Sequence, residues 1–266
     1  MVVGLSHYLT VAAILFTVVP ERGTPAAQGT LREQFRITGI VLTDGFFWRI
    51  QPLLTFQQVA FIASITLWIG PWLRDVGGFA DKEVRADIQL YTTASMTLGF
   101  ALSGVLTGAF RRIGISDFAS STLVSALFAL VCAWLAFLPS IGPVLAWLLF
   151  GFLGAYPIQY IPLLARSFPA HYAGRVSTSS NLVVFTMIFA LQWAIGKIVD
   201  QWPRTAAGYS PDGYTWSFGA LFILQVAGLL WLFLSRARPL AETLARADEA
   251  GPQPRQAAAS RPQAAD

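Results

Sequence analysis

The apolar segment GFLGAYPIQYIP at 151–162 carries Tyr156, Gln159 and Tyr160 at spacings of three and four. On a helix these put two phenols and a carboxamide on one side. Gly151, Gly154, Pro157 and Pro162 lie in the same stretch, and its prolines remove backbone donors and loosen the helix. Such a break either lines a solute path, where freed carbonyls find partners, or is an ordinary kink with tyrosines packed on neighbours. The chemistry these residues offer is hydrogen bonding to a bound molecule, not bond making.

Two further constellations have the same character. Gln57, Phe61, Ser64 and Trp68 fall on one helical stripe, with Gln58 beside it. Amides are disfavoured in lipid, so these glutamines are expected to line a cavity or to reach interfacial water. Asn181 and Gln192 are eleven residues apart, an offset of only about 20° around a helix, with Phe185 and Ile188 on the same face. They read as interhelical glue or as solute ligands. Gly99, Gly104 and Gly108 are expected to allow close helix packing.

Absent groups narrow the chemistry further. No Asp or Glu lies in the middle of an apolar stretch; His7 is near an end, and Lys197 has Asp200 three residues on. No catalytic residue is assigned, because HEXXH, GXSXG and phosphate-loop patterns are missing and no aspartates cluster to hold a magnesium diphosphate. The last apolar stretch has no lysine for retinal. The single Cys132 excludes an internal disulfide and a thiolate metal cluster, so no metal and no cofactor are expected. An enzyme is disfavoured.

The elements that must position these residues follow from composition. Of 266 residues 55% are hydrophobic and only 12% charged, with nine Trp and twenty Phe, too much apolar surface for a soluble domain of this size. Seven stretches, at 3–20, 53–73, 89–110, 118–138, 143–165, 180–199 and 215–235, are long enough to cross a bilayer as helices. The expected class is an all-α membrane protein whose partner is the lipid bilayer. Its organisation is a lone transmembrane helix at 1–20, a linker at 21–52, a six-helix unit at 53–235 and a largely disordered tail at 236–266. A cleaved signal peptide is the competing reading of the first stretch, opposed by the lack of Lys or Arg at positions 2–6. Thirteen of the eighteen basic residues lie in the linker, the 111–117 and 166–179 loops and the tail; five lie in the alternate loops. The linker and carboxy terminus are therefore expected in the cytoplasm. Basic residues spread in this way make no nucleic-acid patch.

Several segments, in order, resemble the carboxy-terminal half of a major facilitator superfamily transporter. LWIGPWLRDV at 67–76 looks like the exit of that family's seventh helix. GVLTGAFRRIG at 104–114 is similar to its GxLxDRxGRR motif through Gly104, Arg111 and Arg112, although Gly108 and Ala109 replace the motif's Asp and Arg. FPAHYAGRVSTSSNLVVF at 168–185 and GKIVD at 196–200 are further echoes. The resemblance implies that the last six of seven transmembrane helices form one half of a major-facilitator-type bundle. The first span then matches the family's sixth helix, and the first five are missing. It also implies secondary transport of a small polar or anionic solute across a bacterial inner membrane, incomplete without an amino-terminal half or a second copy. The alternative is a non-transporting half that acts as a structural or interaction protein.

The charge distribution makes the topology testable: a reporter active only in the cytoplasm should work when fused after Arg32, Arg112, Ser167 or Arg238 and stay silent after Lys82 or Arg204. Activity after Arg204 with silence after Arg238 reverses the orientation.

Overall fold

Apolar sequence of this length satisfies its own peptide groups most simply as helix, and the computed structural model follows that rule. The structure describes residues 30–206 and 208–238. Over these residues it has seven helices: α1 (Leu31–Thr43), α2 (Gly45–Asp75), α3 (Lys82–Arg112), α4 (Asp117–Phe137), α5 (Pro143–Arg166), α6 (Ala170–Val199) and α7 (Pro211–Leu234). No regular strand occurs among the described residues. The six helices α2 to α7 are long and apolar enough to cross a membrane. The expected span at 3–20 and the tail after Arg238 lie outside the described residues.

Helices outrun the apolar stretches that mark them, because hydropathy sees only the lipid-matched part while caps decide where the backbone stops. The second apolar stretch is helical from Gly45 rather than from 53, and α1 occupies much of the expected linker. Asp44 opens α2 by accepting from the Phe47 N–H at 2.8 Å. Pro52 inside α2 cannot donate to the Trp48 carbonyl, and the Trp231 indole N–H of α7 supplies that bond at 2.6 Å. Arg49 reaches the carbonyls of Leu232 (3.3 Å) and Ala237 (3.0 Å) and closes the carboxy end of α7. Asp81 caps α3 through the Glu83 N–H, so α3 begins at Lys82, not 89.

Helix α2 packs on α6 and α7, α5 on α3 and α4, and α4 on α7. Exchanging α2, α3 and α4 with α5, α6 and α7 leaves this set of pairings unchanged. The two members exchanged first are also the two interrupted helices: α2 opens into a π turn at Ser64–Trp68, and α5 tightens into a 3-10 turn at Tyr156–Gln159. The bundle interior divides into two apolar clusters. One is aromatic, built on Trp72, Trp147, Phe150 and Phe128, with Phe128 and Phe150 centroids 4.8 Å apart. The other gathers Ile50, Leu54, Val59, Tyr160, Leu164 and Val184.

Glycines set the closest approach. A Cβ on Gly99 would collide with the Phe152 carbonyl, and one on Gly151 with the Thr92 carbonyl, so α3 and α5 meet backbone to backbone. Gly154 makes room for the Phe61 ring. The expectation that Gly104 and Gly108 pack in the same way is corrected: a Cβ on either meets nothing within 4 Å. They lie on the far side of α3 from Gly99, whose face continues through Ser103 and Thr107 to α5.

This contrast generates a paired prediction. Gly99→Ala and Gly151→Ala should each lower stability in detergent by about 1–3 kcal/mol through overpacking. Gly104→Ala should be neutral or raise stability by up to about 1 kcal/mol through helix propensity. Thermal unfolding of the three variants checks both, and equal behaviour of Gly151→Ala and Gly104→Ala would contradict the packing.

Candidate functional site

The interruption of α5 comes where its sequence removes donors. The α-helical hydrogen bonding stops at Gly154, Ala155 and Tyr156–Gln159 form the tight turn, and the helix resumes at Tyr160. Pro157 and Pro162 have no N–H to give the carbonyls four residues earlier. The three polar side chains of this turn are taken up by neighbouring helices. Tyr156 is buried with its hydroxyl 2.8 Å from Thr107 Oγ1 and 3.5 Å from Ser120 Oγ. Thr107 gives its own proton to the Ser103 carbonyl, so the phenol is the donor. Tyr160 is also buried, its hydroxyl donating to Thr122 Oγ1 at 3.3 Å. Gln159 donates to Ser103 Oγ at 3.0 Å. Tyr156, Gln159 and Tyr160 therefore tie α5 to α3 and α4.

The stripe on α2 turns inward. Gln57 and Ser64 are 0% exposed, Phe61 3% and Trp68 9%, which places all four in the bundle interior. Leu53, one turn before Gln57, packs on Gly228 of α7, and Phe61, one turn after, fills the notch at Gly154 of α5. Neither polar atom of Gln57 has a hydrogen-bond partner. Trp68 forms a triangle of rings with Tyr209 and Tyr214, whose centroids are 6.1 and 6.2 Å from its own and 6.3 Å from each other.

One residue further round the helix the situation reverses. Gln58 lines a groove of about 230 Å³ together with Leu54 and Ile62 of α2, Ile158 of α5, and Asn181 and Phe185 of α6. Two of the residues singled out in sequence, Gln58 and Asn181, thus meet in one cavity. No hydrogen bond to another described residue engages either carboxamide, and no charged side chain lines the groove. Two turns beyond Gln58, Gln192 Nε2 donates to Thr66 Oγ1 at 3.3 Å, a bond between α6 and the π turn of α2. Gln192 is glue. Ile188, on the same face of α6 as Asn181, is buried in the second apolar cluster.

Several polar contacts flank this region that sequence reading did not single out. Gln51 is fully buried and holds α6 in a reciprocal pair: its Nε2 donates to the Ser180 carbonyl at 3.1 Å, and Ser180 Oγ donates to its Oε1 at 2.8 Å. It falls in the expected linker, just before the apolar stretch that starts at 53. At one end of the bundle Asp117 receives Arg111 at 3.0 Å and Arg166 at 3.8 Å, joining the starts and ends of three helices, whereas Arg112 stays exposed. At the other end Asp75, its side chain 0% exposed, is held by Arg74, the Tyr209 N–H (3.0 Å) and the Tyr214 hydroxyl (2.8 Å).

The two neighbouring glutamine environments predict opposite responses. Gln51→Leu strands the Ser180 hydroxyl and should cost about 1–3 kcal/mol in unfolding experiments. Gln58→Leu removes an amide without a protein partner and should change stability by less than about 0.5 kcal/mol. A larger loss at Gln58 than at Gln51 would mean that the groove amide is structural. No family model, no curated protein and no solved structure matches this chain.

Proposed function

We propose that this chain is a module for secondary transport of a small polar solute across a bacterial inner membrane, with the groove between α2, α5 and α6 as its part of the solute path. The observation that carries the reading is the meeting of Gln58 and Asn181, two carboxamides without a hydrogen-bond partner among the described residues, in a groove otherwise walled by apolar side chains. Polar groups in that setting default to a functional role, because leaving them unpaired in lipid is costly. The groove lies against both interrupted helices, the kind of helix that lines solute sites in secondary transporters. Invariance of the packing to exchange of its first and last three spans supports an inverted repeat, which those transporters share. The sequence resemblance to a major facilitator half points the same way.

On this reading the groove is open because a second bundle, either an amino-terminal half or a second copy, closes over it. Of the three spans that line it, α6 is the least buried: only 22% of its apolar window, against 50% for α5 and 61% for α2. The chain is then not an enzyme and needs no cofactor. Because the groove has no ionic side chain, this half contributes hydrogen bonding and shape, and the charge of an anionic solute would be met from the covering side.

The test is the wetness of the groove in native membranes. A cysteine at Asn181 should react with a water-soluble maleimide, and the reaction should slow when a transported solute is present. Reaction only with reagents that partition into lipid would refute the solute path and leave the structural reading. The purified chain alone in liposomes should not accumulate small anions or sugars under a proton gradient. Uptake that an uncoupler abolishes would remove the need for the second bundle.

A further inference from the structure

At the end of the bundle where α2 passes into α3 lies a second cavity, of about 300 Å³, with walls of Gly70, Pro71 and Arg74 from α2 and Lys82, Arg85 and Gln89 from α3. Its lining includes three cations and no carboxylate. We propose that this pocket binds a phosphate-type oxyanion, either the headgroup of an anionic phospholipid or a soluble phosphate.

The charge of the pocket is not cancelled from within. Arg85 directs Nη1 at the Phe79 and Ala80 carbonyls, both at 2.7 Å, which fixes the guanidinium but leaves its full charge, since both acceptors are neutral. Lys82 makes no ion pair with any described residue. Arg74 has a counterion in Asp75, whose buried carboxylate is pinned by Tyr209 and Tyr214 and cannot turn toward Lys82. The nearby acids are directed elsewhere. Lys82, Arg85 and Gln89 recur at three and four residues and share a face of α3, whereas Glu83 and Asp87 lie roughly 100° or more around it. The Asp81 carboxylate caps α3. The fork of Arg74 is taken by both oxygens of Asp75, so the two uncompensated cations, Lys82 and Arg85, are what suit an anion with several oxygens.

Depth fits the headgroup source. Gln89 marks the start of the apolar part of α3, where Leu90 and Tyr91 are exposed, and Lys82 stands about 10 Å further along the axis. The pocket thus spans the layer between hydrocarbon and water.

Binding is tested on the full purified chain in detergent with two probes, phosphatidylglycerol followed by native mass spectrometry and inorganic phosphate followed by phosphorus NMR line broadening. Lys82→Gln should weaken binding about tenfold, and Lys82→Gln with Arg85→Gln more, each lost charge-assisted contact being worth about that factor. Lys197→Gln, outside the pocket, should leave it unchanged. Since Arg85 also holds the preceding turn, the single Lys82→Gln variant decides the matter if the double variant misfolds. Displacement of the lipid by inorganic phosphate assigns the site to soluble phosphates; retention of the lipid against phosphate assigns it to the headgroup. Failure of wild type to bind either probe, or equal binding by wild type and Lys82→Gln, overturns the proposal.

Discussion

Trp231 gives its indole N–H to the Trp48 carbonyl because Pro52 has none to give. That bond expresses the constraint on which the rest of the bundle depends: a peptide group or hydroxyl away from water must find its partner within the chain. The same rule sends the hydroxyls of Thr92, Thr97, Thr107 and Thr122 back to carbonyls four residues earlier, and the phenols of the α5 turn to hydroxyls on α3 and α4. The rule has exceptions: among the described residues the Ser64, Ser121 and Ser179 hydroxyls and the Trp68, Trp72 and Trp147 indoles are buried without a partner. Gln58 and Asn181 open onto a groove, and Gln57 is enclosed without a partner.

Enclosure and exposure are divided by backbone contact. Where glycine lets carbonyls and Cα atoms approach, as at Gly99 and Gly151 between α3 and α5 and at Gly228 against Leu53, the helices are locked at one level. The Leu53 contact and the Arg49 bond to Leu232 fix an antiparallel register of α2 on α7, which brings Gln57 level with Leu224 and Gln225. Gln225 donates to Cys132 of α4, but its carbonyl oxygen is unpartnered. The layer of Gln57 and Gln225 lies near the border of the two apolar clusters of the interior.

Much of this was legible from apolar run length: six stretches of the sequence became six helices, offset where a cap carried the backbone into the polar layers, as Asp44 and Asp81 do, and at α6, which starts at Ala170 without a side-chain cap. The break in α5 was legible too, since proline's missing donor acts locally. Side-chain placement was not. A helical stripe says which residues share a face, not which neighbour that face meets, and Gln57 and Gln58 differ by about 100°. Only the partner glycines on α5 and α7, remote in sequence, send one to the interior and the other to the groove. Gln51 escaped notice because its partner Ser180 lies 129 residues away.

Charge is arranged along the bundle axis in a way that bears on what the groove can recognise. Ion pairs sit at the two ends, around Asp117 at one and Asp75 at the other, where water and headgroups screen them. Between the ends, no acidic or basic side chain lines the groove. A carboxylate placed there would need the same compensation that Asp75 receives from an arginine, a phenol and a peptide N–H, and this face of the bundle offers only two amides. On the transport reading, discrimination by this half therefore rests on the spacing of Gln58 and Asn181 and on the shape of the Ile62, Ile158 and Phe185 walls. Hydrogen-bonding groups of a solute held at that spacing would be rewarded, and analogues lacking one of them would leave an amide unpaired, the more selective of the two ways a site can choose.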